Sequence, residues 1–205
     1  MIDINIIIIK MSLQVFTGPM YSSKTRAMIG EISKLSDISF NKKVLIINHQ
    51  LDNRNVNDVI SSHSSIYKGL SEHIHTISNA QLSSVDVSCY TIIGIDESCF
   101  FEEDDLVDTI KLWINQGKHI ICSGLDGDVN MNQFGFISKL LPIADRFIKL
   151  NAVCTLCNQE LTDRGEEITP MNITRAPFTK KITPNTSLID IGGKDKYIAV
   201  CRKHA

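Results

Sequence analysis

At 205 residues the chain is long enough to bury one α/β core and to carry a small appendage beside it. Its 43% hydrophobic and 21% charged content is ordinary for a globular protein, and a net charge of −2 offers no basic face to nucleic acid or a membrane surface. The apolar run Ile6–Ile9 is far below the roughly 20 residues a bilayer needs, and with Asp3 ahead of it and no basic residue it does not read as a secretion signal.

Residues 3–10 and 12–16 both read as β, either as one long strand or with Met11 marking the start of the fold. The run Leu13–Phe16 leads into Gly18-Pro19-Met20-Tyr21-Ser22-Ser23-Lys24-Thr25, and a helix follows to about Leu35, with a break at Ser36–Ser39. Strand, glycine-started loop and helix opening on Lys-Thr is the plan of a phosphate-binding P-loop. Unpaired N–H groups and the helix dipole favour an anion at that helix start. Lys24 adds a full positive charge for the β- and γ-phosphates of ATP, and the Thr25 hydroxyl is suited to hold Mg²⁺. The usual pattern has glycine directly before the lysine. Ser23 stands there instead, at a cost of about 1 kcal/mol if the backbone must take a positive φ.

Lys43–Ile47 is a short buried-strand run, followed by polar residues with Asp52 and Arg54. The stretch Ser61–Ser88 is Ser/His-rich and weakly patterned. His73 and His75 read as surface positions, because no acidic or Cys partner stands at ligand spacing. Tyr90–Ile95 is a buried strand ending in Asp96 and Glu97. In a parallel sheet such a strand end faces the ligand, which is the Walker B arrangement. Asp96 then serves Mg²⁺, and Glu97 takes a proton from an acceptor hydroxyl or activates water. A helix over Asp104–Gln116 is stopped by Gly117. The strand His119–Leu125 carries Asp126-Gly127-Asp128 onto the same edge, and Gln133-Phe134-Gly135 opens a helix through Leu141, ended near Pro142. The alternation predicts an α/β fold over residues 1–150: a P-loop (RecA-like), mostly parallel, doubly wound sheet.

Residues 151–205 differ in character. Cys154-x-x-Cys157 and Cys201-x-x-His204, with 43 residues between the pairs, supply a closed tetrahedral set for a structural zinc, each pair presented by a β-knuckle. Cys89, Cys99 and Cys122 lie in or beside apolar runs, as buried free thiols do. That cysteine usage fits a reducing, cytoplasmic compartment. Between the two zinc pairs, Asn158–Arg175 reads as a disordered insertion. From Ala176 onward, with Gly192 and Gly193 and then Tyr197, the segment reads as a metal-pinned lid, so the region forms a zinc-ribbon and lasso domain.

Taken in order, GPMYSSKT at 18–25, Ile95-Asp96-Glu97 with Phe100-Phe101, Leu125-Asp126-Gly127 with Phe134-Gly135, the Cys154 pair, and Ile191-Gly192-Gly193-x-Asp195-Lys196-Tyr197 closing on Cys201 resemble the type II, cellular and poxvirus-like, thymidine kinases over nearly the whole chain. The resemblance implies transfer of the ATP γ-phosphate to the 5′-hydroxyl of thymidine or deoxyuridine, with Glu97 as general base. It places ATP on Gly18–Thr25 and on Asp52 and Arg54, and the base among Met20, Phe100, Leu125, Val129, Phe134 and Tyr197. Backbone from Leu188 through Ile189, Asp190 and Ile191 to Gly192 would read the edge of the base. A homotetramer is the family expectation. Four features depart from the pattern: Ser23 in the P-loop, Ser98-Cys99 where Gly-Gln is usual, Val129 where an aromatic is common, and the extra residues after Asn158. A weakened or inactive relative, and a P-loop ATPase acting on nucleic acid, remain open on the sequence alone.

Overall fold

The computed structural model describes residues 12–38, 43–51, 74–184 and 192–205. The expectations for residues 3–10, Asp52, Arg54, His73, Leu188, Ile189, Asp190 and Ile191 fall outside them.

In chain order the main elements are β1 (Ser12–Thr17), α1 (Lys24–Ile38), β2 (Val44–His49), β3 (Ile74–Asn79), β4 (Ile92–Asp96), α2 (Glu103–Asn115), β5 (His119–Gly124) and β6 (Arg146–Lys149). There follow β7 (Ala152–Val153), α3 (Thr155–Asp163), β8 (Arg175–Ala176), β9 (Phe178–Lys181) and β10 (Tyr197–Val200). The first six strands form one sheet in the order β3-β2-β4-β5-β1-β6, every pairing parallel. Strands β2, β4 and β5 are buried along their whole length, which is why they read as continuous apolar runs.

Side-chain alternation divides the core into two layers. Phe16, Val44, Ile46, Ile92 and Ile121 meet Met28, Ile29 and Ile32 of α1 on one face. Leu13, Val15, Leu45, Ile47, Ile93, Ile95, Ile120 and Cys122 meet Leu106, Ile110 and Trp113 of α2, with Ile137 and Leu140, on the other. Each such side chain contributes about 1.5–3 kcal/mol on burial. Burial on both faces therefore holds the helices, and the doubly wound, parallel α/β architecture is as expected. Because the strands are parallel, the carboxyl ends of β1, β4 and β5 share one edge.

Several local expectations are corrected. β3 lies within the stretch read as unpatterned: it is an edge strand whose residues are only partly covered, so its sequence carries little apolar signal. The edge strand β6 is equally faint for the same reason. α1 continues to Ile38, beyond the break placed at Ser36. Ile137–Ile143 is a tight 3₁₀ segment containing Pro142, whose missing N–H disfavours a regular α-helix. Cys89 is exposed, whereas Cys99 and Cys122 are buried as expected. His75 is exposed and shares a 2.6 Å hydrogen bond with the Tyr90 hydroxyl.

The C-terminal region holds two small antiparallel pairs, β7 with β8 and β9 with β10. The stretch from Asn158 does not form a disordered insertion: its first part is α3, which packs Leu161 inward, and Thr169 and Asn172 brace the turn beyond it.

Candidate active site and metal centre

The P-loop is built on a conformation that only some residues enter freely. Gly18 lies at φ 141°, and a Cβ there would collide with the carbonyl oxygen of Leu150. Tyr21 and Ser23 also lie in the left-handed region, at φ 66° and 63°. The positive φ that would make Ser23 costly is therefore present. The Ser22 hydroxyl donates to the Pro19 carbonyl at 2.8 Å, and Lys24 Nζ donates to the same oxygen at 2.8 Å. Met20 N–H donates to Thr179 Oγ1 at 3.0 Å in β9, and the Tyr21 hydroxyl donates to the Tyr197 carbonyl at 3.2 Å in β10. The middle of the loop thus rests on both strands of the C-terminal hairpin.

The end of β4 brings the acid pair to this loop. Thr25 Oγ1 donates to Asp96 Oδ1 at 3.1 Å, the Glu97 N–H reaches the same oxygen at 3.0 Å, and Ser123 Oγ donates to it from β5. Burial, and then the neighbouring Glu97, push the Asp96 carboxyl up to about 6 against those three donors. Glu97 sits at φ 48°, ψ 38°, starting the 3₁₀ turn Ser98–Phe100, a strained setting of the kind functional sites retain. Burial lowers the pKa of Lys24, while Glu97 foremost, then Cys99, Asp96 and Asp126, draw it back up. The Thr25–Asp96 hydrogen bond sets the loop against the acid pair, and Lys24 feels the charge of Glu97 there.

Around them, Phe100 and Phe134 meet edge to face at 5.8 Å, and Leu125 packs in the same cluster. Phe134 N–H donates to the Asp126 carbonyl at 3.3 Å. At Gly135, φ is 60° and a Cβ would run into the Cys99 backbone, so the Phe134 wall presses directly on the turn that carries Glu97. Cys99 Sγ lies 3.9 Å from Glu97 Oε2, and burial keeps this thiol protonated by raising its pKa. Val129 is half-buried within the turn closed by the Gly127–Gln133 bridge. Tyr197 is buried on β10 with Lys181 Nζ 5.7 Å from its ring centroid, and Gly192 lies against the Lys196 side chain. Thus Gly18–Thr25, Asp96 and Glu97 come together, as do Phe100, Leu125 and Phe134; Met20, within the loop, is bonded to β9, and the Tyr197 carbonyl accepts from the Tyr21 hydroxyl.

Sequence reasoning missed several neighbours. Ser123 is the one hydroxyl in an apolar strand, a signal that was available. His49, buried at the end of β2, lies edge-on to Phe101 at 4.5 Å and tilted to Phe100 at 5.7 Å, and its Nδ1 accepts from Leu51 N–H at 3.1 Å. Burial lowers its pKa, with Glu97 opposing.

The ligating atoms of Cys154, Cys157, Cys201 and His204 lie within 4.8 Å of one another. His204 Nδ1 is 3.5, 3.6 and 3.6 Å from the three sulfurs, and Cys157 and Cys201 are 3.7 Å apart. Tetrahedral zinc with Zn–S bonds of ~2.3 Å requires edges of ~3.7 Å, so the donor set fits that metal. Against burial, which raises it, the N–H groups of Cys157 and Cys201 and the His204 ring lower the Cys154 thiol to about 6, favouring the ligating thiolate. The expected β-knuckle is absent at Cys154. That residue caps α3 and Cys157 lies in the helix's first turn, which brings Glu160 round so that Oε1 meets His204 Nε2 at 3.0 Å. A carboxylate on the far nitrogen orients a ligating imidazole.

Comparison with known proteins agrees with this geometry. The thymidine kinase of Amsacta moorei entomopoxvirus is 36% identical over 193 residues, covering 94% of this chain and 96% of that protein. The thymidine kinase of fowlpox virus (strain NVSL) is 35% identical over 201 residues, with coverage of 94% and 95%. The thymidine kinase of the bacterium Pseudothermotoga lettingae is 32% identical over 192 residues, with coverage of 93% and 92%. The thymidine kinase family profile matches residues 11–205, and with a P-loop, an acid pair and a Cys₃His cluster in one structure, the chain belongs to the thymidine kinase family of ATP-dependent phosphotransferases.

Proposed function

We propose that the chain transfers the γ-phosphate of ATP to the 5′-hydroxyl of thymidine, or of deoxyuridine, to give the monophosphate. The observation that carries this reading is the convergence of Thr25 and Ser123 on Asp96, which ties the P-loop to the acid pair, in a chain of this family. Glu97 takes the proton of the 5′-hydroxyl as its oxygen bonds to the γ-phosphorus, and the bond from that phosphorus to the β,γ-bridging oxygen breaks to release ADP. Lys24 and backbone N–H groups of the Gly18–Thr25 loop, apart from Pro19, which has none, and Met20, which donates to Thr179, hold the phosphates, with Asp52 and Arg54 contributing. Thr25 and Asp96 are the residues to hold Mg²⁺, which would neutralise phosphate charge. Met20, Phe100, Leu125, Val129, Phe134 and Tyr197, with the backbone of 188–192, receive the base.

Zinc on Cys154, Cys157, Cys201 and His204 has a structural role, because all four positions are taken by protein. A separate apolar cluster around Cys154, Ala176 and Val200 supports a division into residues 1–150 and 151–205. Among the described residues no helix is long and apolar enough to cross a membrane. The free cysteines support a reducing, cytoplasmic compartment. A homotetramer, the expectation from the family, is tested directly by light scattering.

With ATP, Mg²⁺ and thymidine the protein is expected to form thymidine monophosphate. Glu97→Gln is expected to lower kcat by about 10²–10⁴-fold with the melting temperature unchanged. A near-wild-type rate in that variant removes Glu97 from the role of base. ATP hydrolysis stimulated by DNA, without nucleoside phosphorylation, overturns the acceptor assignment.

A further inference from the structure

One ammonium, Lys24, shares its surroundings with three carboxylates, Glu97, Asp96 and Asp126. Each of these carboxylates repels a polyphosphate approaching the loop. Asp96 is engaged by Thr25 and Ser123. Asp126 stands elsewhere, at the carboxyl end of β5, and has a cation of its own. Its Oδ2 lies 2.8 Å from Lys149 Nζ and accepts from Thr17 Oγ1 at 3.4 Å.

Lys149 is not an arbitrary surface lysine. It ends β6, whose register places it beside Thr17, the residue just before the P-loop glycine. Leu150 N–H donates to the Thr17 carbonyl at 2.8 Å, and the Leu150 carbonyl is the group that leaves no room for a Cβ at Gly18. The backbone therefore fixes Lys149 at the root of the loop. The Asp126 side chain is 16% exposed and that of Lys149 48%, so the pair is only partly screened by solvent.

We infer that Lys149 is a positioning residue for the nucleotide polyphosphate: paired with Asp126, it cancels one of the three negative charges around Lys24 and so keeps the loop attractive to ATP. The inference rests on the ATP reading above and extends it to a residue that touches no phosphate itself. It has two signatures that a purely structural lysine lacks. Removing Asp126 abolishes the need for Lys149, and salt, which screens part-exposed charges, weakens the effect.

The test is calorimetric titration of ATP and, separately, of thymidine into the full chain at low and high salt. It compares wild type with Lys149→Met, Lys149→Arg, Asp126→Asn and the double variant Asp126→Asn/Lys149→Met, with melting temperatures as a check on folding. At low salt Lys149→Met is expected to weaken ATP binding about 3–5-fold, the size a part-exposed ion pair carries. Thymidine binding is unchanged, Lys149→Arg behaves as wild type, the double variant recovers, and the loss fades at high salt. A loss that persists in the Asp126→Asn background, or that falls equally on thymidine, overturns the inference. If wild type binds ATP but not thymidine, the acceptor assignment fails while this inference is still decided by the ATP arm. Absence of ATP binding in wild type overturns both.

Discussion

Ser23 offers a direct measurement of what the P-loop conformation costs. At φ 63° it holds a backbone conformation that is uphill for an L-residue by about 1–2 kcal/mol. Its side chain is exposed, so Ser23→Gly opens no cavity, and its carbonyl still accepts the Ala27 N–H that begins α1. Glycine removes the strain but enlarges the conformational freedom of the unfolded chain, which returns about 0.5–1 kcal/mol. The expected net gain is about 0.5–1 kcal/mol. For a chain of this size each kcal/mol moves Tm by about 2–4 °C, so a rise of about 1–4 °C should appear in thermal unfolding followed by circular dichroism without nucleotide. Ser23→Ala retains the strain and is expected within about 1 °C of wild type. A fall in Tm for Ser23→Gly, or a large loss for Ser23→Ala, would refute the reasoning by revealing a side-chain contact worth more than the strain. Tyr21, at φ 66°, should behave in the opposite way. Its side chain packs against the C-terminal cluster and its hydroxyl holds β10, so glycine there removes packing as well as strain.

Gly135→Ala drives a Cβ into the Cys99 backbone beneath Glu97 and is expected to cost more than about 3 kcal/mol, seen as a lowered denaturation midpoint together with lost turnover. For Asp96, whose carboxyl is raised from 3.8 to about 6, the stability tied to the protonated form is complete below about pH 4 and is lost as pH rises through about 6. Asp96→Asn lacks that loss. Its Tm advantage over wild type, measured without added magnesium, should grow between about pH 4 and 6 and level off above; a difference independent of pH contradicts the assignment. Glu160→Gln should weaken zinc retention about 10–100-fold in a competition with a chromogenic chelator, because His204 loses the carboxylate on Nε2. Unchanged retention would show that α3 alone sets the ring.

The strands β1, β4 and β5 and the helix α2 were legible because their signals are local. A central parallel strand is buried on both faces and reads as an apolar run, and an amphipathic helix repeats its apolar face every turn. The loop Gly18–Thr25, the Asp96-Glu97 strand end and the spacing Cys154-x-x-Cys157 with Cys201-x-x-His204 are contiguous motifs whose chemistry survives without knowledge of the fold. The edge strands β3 and β6 have one neighbour each and correspondingly faint patterns. The helix α3, read as an insertion, is held by packing against β10 and the cysteine cluster, and its own sequence has little apolar face.

The order of residues along the chain determined which chemistry was present: a cation and hydroxyl at a helix start, two acids at a strand end, four metal donors in two pairs. The tertiary structure decided what those groups meet. Parallel register carries the ends of β1, β4 and β5 to one edge, joining Thr25 and Ser123 to Asp96. The β1–β6 pairing sets Lys149 on Asp126, and a helix at Cys154 turns Glu160 onto His204. Such contacts join residues from 23 to 71 positions apart, and their energies depend on distance and burial, quantities that no local pattern encodes.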